Sequence, residues 1–281
     1  MADTFVFEAP RDCPALPLVF DSPHSGQLFP PDFVSSVQPE QLRTGCDLFV
    51  DDLWGAVPSM GGQLLHALYS RMYIDLNRAP DDIDLLLLKG PVGEVNPTAY
   101  SERGMGLIRR LALPDLPMYE SRFSLFEIRA RIQQYHSPYH QKLKSTLDAL
   151  HQRFSGVWHI DCHSMKSRGN LMNIDSGALR PDVVLGDNDG RSAGADFVDV
   201  IEQGFVRLGY SVVRNSPYKG GYLVRHYGDP ENNRHSTQIE INRALYMDEQ
   251  LFSPNQNYAA FKKDLCTISQ QIADFVGCAV A

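Results

Sequence analysis

The chain has 281 residues, of which 43% are apolar, and its 26 basic and 34 acidic side chains give a formal net charge of −8. This apolar fraction supports a sizeable core and excludes a disordered chain, while the acidic balance, without any run of basic residues, argues against a nucleic-acid-binding protein. The five cysteines form no CxxC pair, so we expect neither a disulfide framework nor a cysteine-rich zinc site.

The amino-terminal residues, MADTFVFEAPRD, lack the basic region and apolar stretch of a signal peptide. No apolar segment approaches the ~20 residues needed to cross a bilayer. We therefore expect a cytoplasmic protein without a membrane partner, folded as one α/β domain over residues 1–281.

The first half of the chain predicts three strands and a helix. Residues 17–21 predict a buried strand, and 39–57 predict a helix that begins at a proline and carries an apolar stripe. GQLLHAL (62–68) and MYIDLN (72–77) predict two further strands. Residues 79–118 are rich in Pro, Gly and Asp and predict a long irregular excursion.

The second half predicts a long helix followed by alternating strands and helices. The long helix covers 121–154 and is expected to bend near Pro138. The later predicted elements are strands 157–162, 182–186, 210–214 and 236–242, helices 193–208 and 257–277, and a loop at 215–224. This alternation predicts a mixed, largely parallel sheet flanked by helices, whose ligands bind outside the carboxyl ends of the strands.

Four predicted strand ends carry polar side chains that can do chemistry. They are Asp21, His24 and Ser25; Asp75, Asn77 and Arg78; Asp161 and His163; and Glu240, Asn242 and Arg243. Each group alone could be a structural hydrogen bond or ion pair. Together, so many titratable groups at one sheet edge predict a functional site.

The residue types at these strand ends favour a metal-dependent hydrolase. No GxSxG elbow, P-loop or GxGxxG follows a strand, so a serine hydrolase and a nucleotide site are poorly supported. Cys162 alternates to the face opposite Asp161 and His163 and predicts a buried apolar residue rather than a nucleophile. Two histidines and a carboxylate suit zinc with one open coordination position.

Seven ordered motifs resemble the N-formylglutamate amidohydrolase family. They are DSPHSG, DLNRAPDD, DCHSM, RPDVVLGD, NSPYKGGY, HYGDP and QIEINRALYMDE, and they run from about residue 15 to about 250. The family is in turn similar, at greater distance, to zinc carboxypeptidases and aspartoacylase. The resemblance implies a zinc-exopeptidase-like fold. It also implies a zinc-dependent amidohydrolase that releases formate from N-formyl-L-glutamate in histidine breakdown.

The resemblance also implies residue roles. His24 and His163 stand where the zinc histidines are expected, and Glu240 stands at the position of the general base, which takes a proton from the attacking water and returns it to the leaving amine. Asn77 and Arg78 match the pair that binds a substrate carboxylate and polarises the carbonyl.

One position departs from the distant relatives. Gln27 stands where they have a glutamate ligand, so the anionic ligand must come from elsewhere. Asp47 is our candidate and Asp51 the reserve, because residues four apart on the predicted helix share a face. Asp161 fits an acid that orients a ligand histidine, and Arg71 is a second candidate for the distal carboxylate of the substrate.

Several alternatives stay open from the sequence alone. The chain could be an amidohydrolase of another N-acyl amino acid or a peptide, or a protein that binds a metal or ligand without catalysis. Another divalent metal could replace zinc. The oligomeric state is not predicted, and residues 215–235 could be a lid or only a long connection.

Overall fold

A seven-stranded sheet carries the fold in the computed structural model, which describes residues 3–280. Two short two-stranded ribbons lie outside it. The strands in chain order are β1 Phe5–Glu8, β2 Leu18–Ser22, β3 Gln63–Ala67, β4 Leu111–Leu113, β5 Leu116–Pro117, β6 Val157–Met165, β7 Val183–Gly186, β8 Val212–Arg214, β9 Arg234–Asn242, β10 Met247–Asp248 and β11 Ser253–Pro254.

The sheet has the order β1-β3-β2-β6-β9-β7-β8. Its four central strands, β3, β2, β6 and β9, are parallel, β8 is parallel to β7, and only the β1–β3 and β7–β9 pairs are antiparallel. The predicted mixed, largely parallel sheet is therefore confirmed. Since β2, β6 and β9 run side by side in one direction, their carboxyl ends meet at one edge of the sheet.

Helices cover both faces of the sheet. Their bounds are α1 Pro39–Leu42, α2 Val50–Leu53, α3 Ala99–Glu102, α4 Leu125–Arg131, α5 Ser137–Phe154, α6 Ala195–Arg207, α7 Tyr222–Tyr227 and α8 Tyr258–Ala279. One apolar cluster joins the sheet to α6 and α8, and a second joins the other face to α5. Strand alternation divides β2 between them, with Phe20 in the first cluster and Val19 in the second.

The predicted helix over residues 121–154 is confirmed in most of its length. It begins after Ser124, whose hydroxyl and the Glu127 carboxylate form a reciprocal capping box. Residues Ile132–His136 form a π-helical turn just before Pro138, where the bend is predicted. The strands and helices predicted beyond this helix are also present, with bounds shifted by a few residues.

The predicted helix over 39–57 is wrong. Only α1 and α2 are α-helical, and a 3-10 turn over Arg43–Gly45 and an irregular stretch separate them. Phe49 adopts the left-handed region, with a φ of 68°, which ends any continuous helix there. The backbone at Gly45 packs so closely on Met72 that a β-carbon would lie 2.1 Å from its sulfur. Tertiary packing therefore overrides the helical pattern.

The predicted strand over 72–77 is also wrong. The segment forms buried turns, and the Asp75 amide donates to the Leu107 carbonyl instead of to a neighbouring strand. Sequence reasoning missed β1, which pairs with the outer edge of β3, so no further strand can pair there. It also missed α7, which begins inside the predicted loop.

A buried polar chain links β2, β6, β9 and α5 beneath the carboxyl edge. The Tyr139 hydroxyl donates to Asp21 Oδ2 at 2.7 Å, and Asp21 Oδ1 lies 2.8 Å from His159 Nε2. His159 Nδ1 lies 2.7 Å from the Ser236 hydroxyl. These four side chains are almost wholly excluded from solvent, so each hydrogen bond satisfies a group that water cannot reach.

We expect Tyr139→Phe to lower the free energy of unfolding by about 1–3 kcal/mol, because it removes a donor from a buried carboxyl group. Urea unfolding measures the change. Tyr69→Phe is the matched control, because the Tyr69 hydroxyl has no protein partner between residues 3 and 280. Equal losses in the two variants would show that the contact to Asp21 contributes nothing.

Candidate active site

His24 lies in the turn that follows β2, with 1% of its surface exposed. Its Nε2 atom lies 2.7 Å from Asp75 Oδ1. Its Nδ1 atom is buried and makes no hydrogen bond within residues 3–280, although Asp47 Oδ2 lies 3.5 Å away. When Nε2 donates its proton to Asp75, the lone pair on Nδ1 faces the site.

His163 repeats this arrangement near the end of β6. Its Nε2 atom lies 2.6 Å from Asp161 Oδ1, and its Nδ1 atom lies 3.0 Å from Asp47 Oδ2. The His24 and His163 rings are 4.5 Å apart between centroids. Each histidine therefore has one nitrogen beside a carboxylate and the other beside Asp47.

Asp47 lies between the two histidines, in the irregular stretch before α2. Its backbone amide donates to the His24 carbonyl at 2.9 Å. While Oδ2 faces both rings, Oδ1 accepts a hydrogen bond from Arg243 Nη2 at 2.8 Å. The reserve candidate Asp51 points elsewhere, 3.6 Å from His66 Nδ1. The structure thus brings Asp47, and not Asp51, to the histidines.

These three side chains have the composition of a metal site. Their candidate ligand atoms lie within 4.8 Å of one another, and all three residues are buried. Two histidines and one carboxylate are a frequent protein ligand set for catalytic zinc. The Nδ1 atom of His24, which has no hydrogen-bond partner among residues 3–280, and the carboxylates behind both rings fit a bound cation, because such acids orient ligand histidines.

Burial and neighbouring charges shift the pKa values of these three side chains. Burial lowers the pKa of His24, and the Arg71 charge adds to this effect. Burial would lower the pKa of His163 as well, but Asp161 and Asp47 outweigh it and hold that pKa well above its usual value. Burial would raise the pKa of Asp47, but the hydrogen bond with His163 and the proximity of His24 and Arg243 hold it well below the usual value. Asp47 is therefore anionic near neutral pH.

Glu240 lies beside His163 across the parallel β6–β9 pair. Both side chains line the same cleft, and Glu240 Oε1 accepts a hydrogen bond from Gln238 Nε2 at 2.8 Å. Burial raises the pKa of Glu240 to about 7, although the His163 charge works in the other direction. A carboxyl group with such a pKa can both accept and release a proton near neutral pH.

The cleft around these residues is rich in cations. Its basic lining residues are Arg71, Arg78, Arg109, Lys166, Arg180, Lys219 and Arg243, whereas Asp47 and Glu240 are its acidic ones. A cleft with this excess of cations attracts anions in spite of the negative net charge of the chain.

The turn segment that holds Asp75 is fixed from two sides. The carboxylate accepts two hydrogen bonds from Arg71, at 3.1 and 2.6 Å, in addition to its contact with His24. His136, the last residue of the π-helical turn, and His140, in α5, lie 2.9 Å from the carbonyl oxygens of Arg78 and Leu76, respectively. Both histidines thus hold the backbone of residues 76–78 in place.

The other predicted substrate residues differ in how free they are. Asn77 lies next to the ligands, but its amide donates to Asp161 Oδ2 and accepts from the Leu223 amide. Arg78 donates to the carbonyls of Asn77 and Met105 and stacks on Tyr100, with its guanidinium carbon 4.1 Å from the ring centre. Arg78 makes no ion pair with another described residue and so keeps its charge available.

Sequence reasoning missed Asp75 as the partner of His24 and Arg243 as the partner of Asp47, although both residues stand in the strand-end motifs. It also missed Arg109, which lies in the segment predicted as irregular and belongs to no motif that could have marked it. Gln27 is exposed, which agrees with an anionic ligand from elsewhere, and Cys162 is buried as expected.

None of the helices within residues 3–280 combines the length and the apolar character that a membrane crossing requires.

Known proteins are similar to this chain along most of its length. Residues 16–247 match the model of a family described as N-formylglutamate amidohydrolase. An N-formylglutamate deformylase from Pseudomonas aeruginosa is 32% identical over 239 residues, which cover 84% of either chain. One from Pseudomonas putida is 32% identical over 237 residues, 83% of either chain. The crystal structure of an N-formylglutamate amidohydrolase from Ralstonia eutropha JMP134 is 41% identical, with a TM-score of 0.94 and 99% of both chains covered.

We expect Asp47→Asn to weaken metal binding far more than Asp51→Asn, because only Asp47 has a carboxylate oxygen beside both histidine rings. Metal analysis after dialysis against zinc measures the bound metal per chain, with about one equivalent expected for the unaltered protein. His24→Ala and His163→Ala should lose metal as Asp47→Asn does. If only Asp51→Asn lost the metal, Asp51 and not Asp47 would be the carboxylate ligand.

Proposed function

We propose, since this chain belongs to the N-formylglutamate amidohydrolase family, that it hydrolyses the formamide bond of N-formyl-L-glutamate to formate and L-glutamate. The observation that carries this proposal is one cleft in which His24, Asp47 and His163 converge beside Glu240. The cations that line the same cleft suit a substrate with two carboxylates.

The metal proposed for this site is one zinc ion held by His24, Asp47 and His163. When bound there, zinc supplies Lewis acidity, which polarises a carbonyl group and makes water a better nucleophile at neutral pH. Asp75 and Asp161 hold the outer nitrogens of the two rings and thereby set their orientation. Arg243 holds the second oxygen of Asp47 and limits its rotation.

Glu240 is the proposed general base and acid. Hydrolysis forms a bond from the water oxygen to the formyl carbon and breaks the bond from that carbon to the amide nitrogen. One proton of the water must move to the leaving nitrogen. Glu240 accepts this proton from the water and then donates it to the leaving amine nitrogen. A carboxyl group with a pKa of about 7 is suited to both transfers. Gln238 holds one oxygen of Glu240, which leaves the other oxygen to exchange the proton.

The proposed substrate contacts follow from which groups are free. Arg78 has no acidic partner among residues 3–280 and is the first candidate for a substrate carboxylate. Arg71 already binds Asp75 with two nitrogens, so its main effect is to hold that carboxylate. Asn77 is hydrogen-bonded to Asp161 and to the Leu223 amide, which favours a positioning role over direct substrate contact.

Two other functions are compatible with the same scaffold. Another N-acyl amino acid could be the substrate, and a panel of formyl and acetyl amino acids tests this. A protein that only binds a metal or ligand would not need Glu240 buried beside the proposed ligands, since binding requires no proton acceptor. The place of the reaction in histidine breakdown and a cytoplasmic location stay predictions from the family resemblance.

Formate release tests the proposed reaction directly. We expect the zinc-loaded protein to release one formate per N-formyl-L-glutamate, to lose this activity after chelation, and to regain it when zinc is returned. Coupled formate detection, with N-acetyl-L-glutamate as the comparison substrate, measures it. Unchanged turnover in metal-free protein would refute the metal-dependent mechanism.

We expect Glu240→Gln to lower kcat by roughly 10²- to 10⁴-fold, since the amide keeps the size of the side chain but cannot accept a proton. Bound zinc and the melting temperature should change little. Glu249→Gln is the matched control, because Glu249 binds Ser167 outside this cleft. Near-normal turnover in folded, zinc-loaded Glu240→Gln would remove Glu240 from the mechanism.

A further inference from the structure

Arg109 is a buried cation whose hydrogen-bonding groups are not all satisfied by residues 3–280. It lies between α3 and β4, and 8% of its surface is exposed. Its Nε atom is buried and makes no hydrogen bond within residues 3–280. Its nearest acid is Asp75, whose Oδ2 lies 3.9 Å from Nη2, beyond hydrogen-bond distance. That same oxygen already accepts two hydrogen bonds from Arg71.

The other cations of the cleft are mostly matched by acids. Four lining residues form ion pairs: Arg71 with Asp75, Arg180 with Asp175, Lys219 with Asp189, and Arg243 with Asp47. The lining cations that remain are Arg78, Arg109 and Lys166. Of these three, Arg109 is the most deeply buried.

A buried guanidinium that lacks a hydrogen-bonded acid destabilises the folded protein. Burial and the nearby Arg71 charge lower the pKa of Arg109 to about 9, because both disfavour the charged guanidinium. An anion that enters the cleft would remove this cost, and a carboxylate can accept two parallel hydrogen bonds from one guanidinium. The unmatched state of Arg109 therefore indicates a ligand contact.

We propose that Arg109 binds one of the two carboxylates of the substrate and that Arg78 binds the other. This inference rests on the proposed function for the identity of the substrate. Arg71, Arg78 and Arg109 surround the single carboxylate of Asp75, so two positive charges remain for the two negative charges of an N-acyl glutamate. Arg109 is thus a specificity-determining residue for a dicarboxylate.

The test uses three substrates and two variants. N-formyl-L-glutamate has both carboxylates, N-formyl-L-glutamine has only the α-carboxylate, and N-formyl-L-isoglutamine has only the γ-carboxylate. We expect Arg109→Gln to lower kcat/KM for the first substrate by roughly 10- to 100-fold, mainly through KM. On the analogue that lacks the carboxylate bound by Arg109, kcat/KM should change little. Arg78→Gln should show the opposite selectivity between the two analogues.

Two further variants control for structure. Arg110→Gln removes the same charge from the next residue, which binds Asp84 and does not line the cleft, and it should keep the substrate preference of the unaltered protein. Arg109→Lys should regain only part of the lost efficiency, because an ammonium lacks the planar fork. Thermal melting of each variant shows whether it is folded.

A binding measurement separates this inference from the proposed reaction. Calorimetry with glutarate and with its monoamide needs no turnover, and Arg109→Gln should remove most of the preference for glutarate. No formate release by the unaltered protein would refute the proposed function alone. Equal losses by Arg109→Gln on all three substrates, or an unchanged glutarate preference, would overturn the assignment of Arg109.

Discussion

The candidate site depends on a carboxylate behind each of its two histidines. Asp75 holds Nε2 of His24 and Asp161 holds Nε2 of His163, so both Nδ1 atoms face Asp47. Each contact joins parts of the chain far apart in sequence, except for Asp161, which precedes His163 by two residues on β6. The geometry of the site is therefore held by the sheet, by the turn after β2 and by the segment that carries Asp75.

Burying so many charges is costly unless each one has partners. Asp75 and Asp47 are almost wholly buried. Each forms an ion pair with an arginine, Asp75 with Arg71 and Asp47 with Arg243. Breaking such a pair on one side leaves a bare buried charge, which destabilises the fold far more than the intact pair stabilises it. The same network thus also connects the stretch before α2, the 71–78 segment and the residues at the end of β9. Among residues 3–280, Arg109 is the most deeply buried of the cleft cations that lack a hydrogen-bonded acid.

Most of the fold follows from local patterns. The long helix after Ser124, the central strands and the last helix have strong periodicity or clear caps, and their predictions are confirmed. The errors occur where the tertiary environment outweighs local preference. The apolar stripe of residues 39–57 is real, but the chain bends at Phe49 so that Asp47 can enter the site. Residues 72–77 are buried as a central strand would be, but β1 occupies the edge of β3, and the backbone of this segment forms turns instead.

The sequence by itself predicted the sheet, because periodicity is a local property, and it marked His24, His163 and Glu240 among the polar residues at strand ends. The roles of these residues, and the search for a carboxylate in place of Gln27, followed from the family resemblance. Sequence reasoning placed Asp47 first, although the helix used to argue for Asp47 does not form. Only the tertiary structure decided that Asp75 serves His24, that Arg243 serves Asp47, and that Arg109 stands unmatched in the cleft. The first two are contacts across 51 and 196 residues of chain, and Arg109 is 34 residues from its nearest acid, Asp75. A local sequence pattern cannot predict such contacts, because they form only when distant segments pack together at the sheet edge.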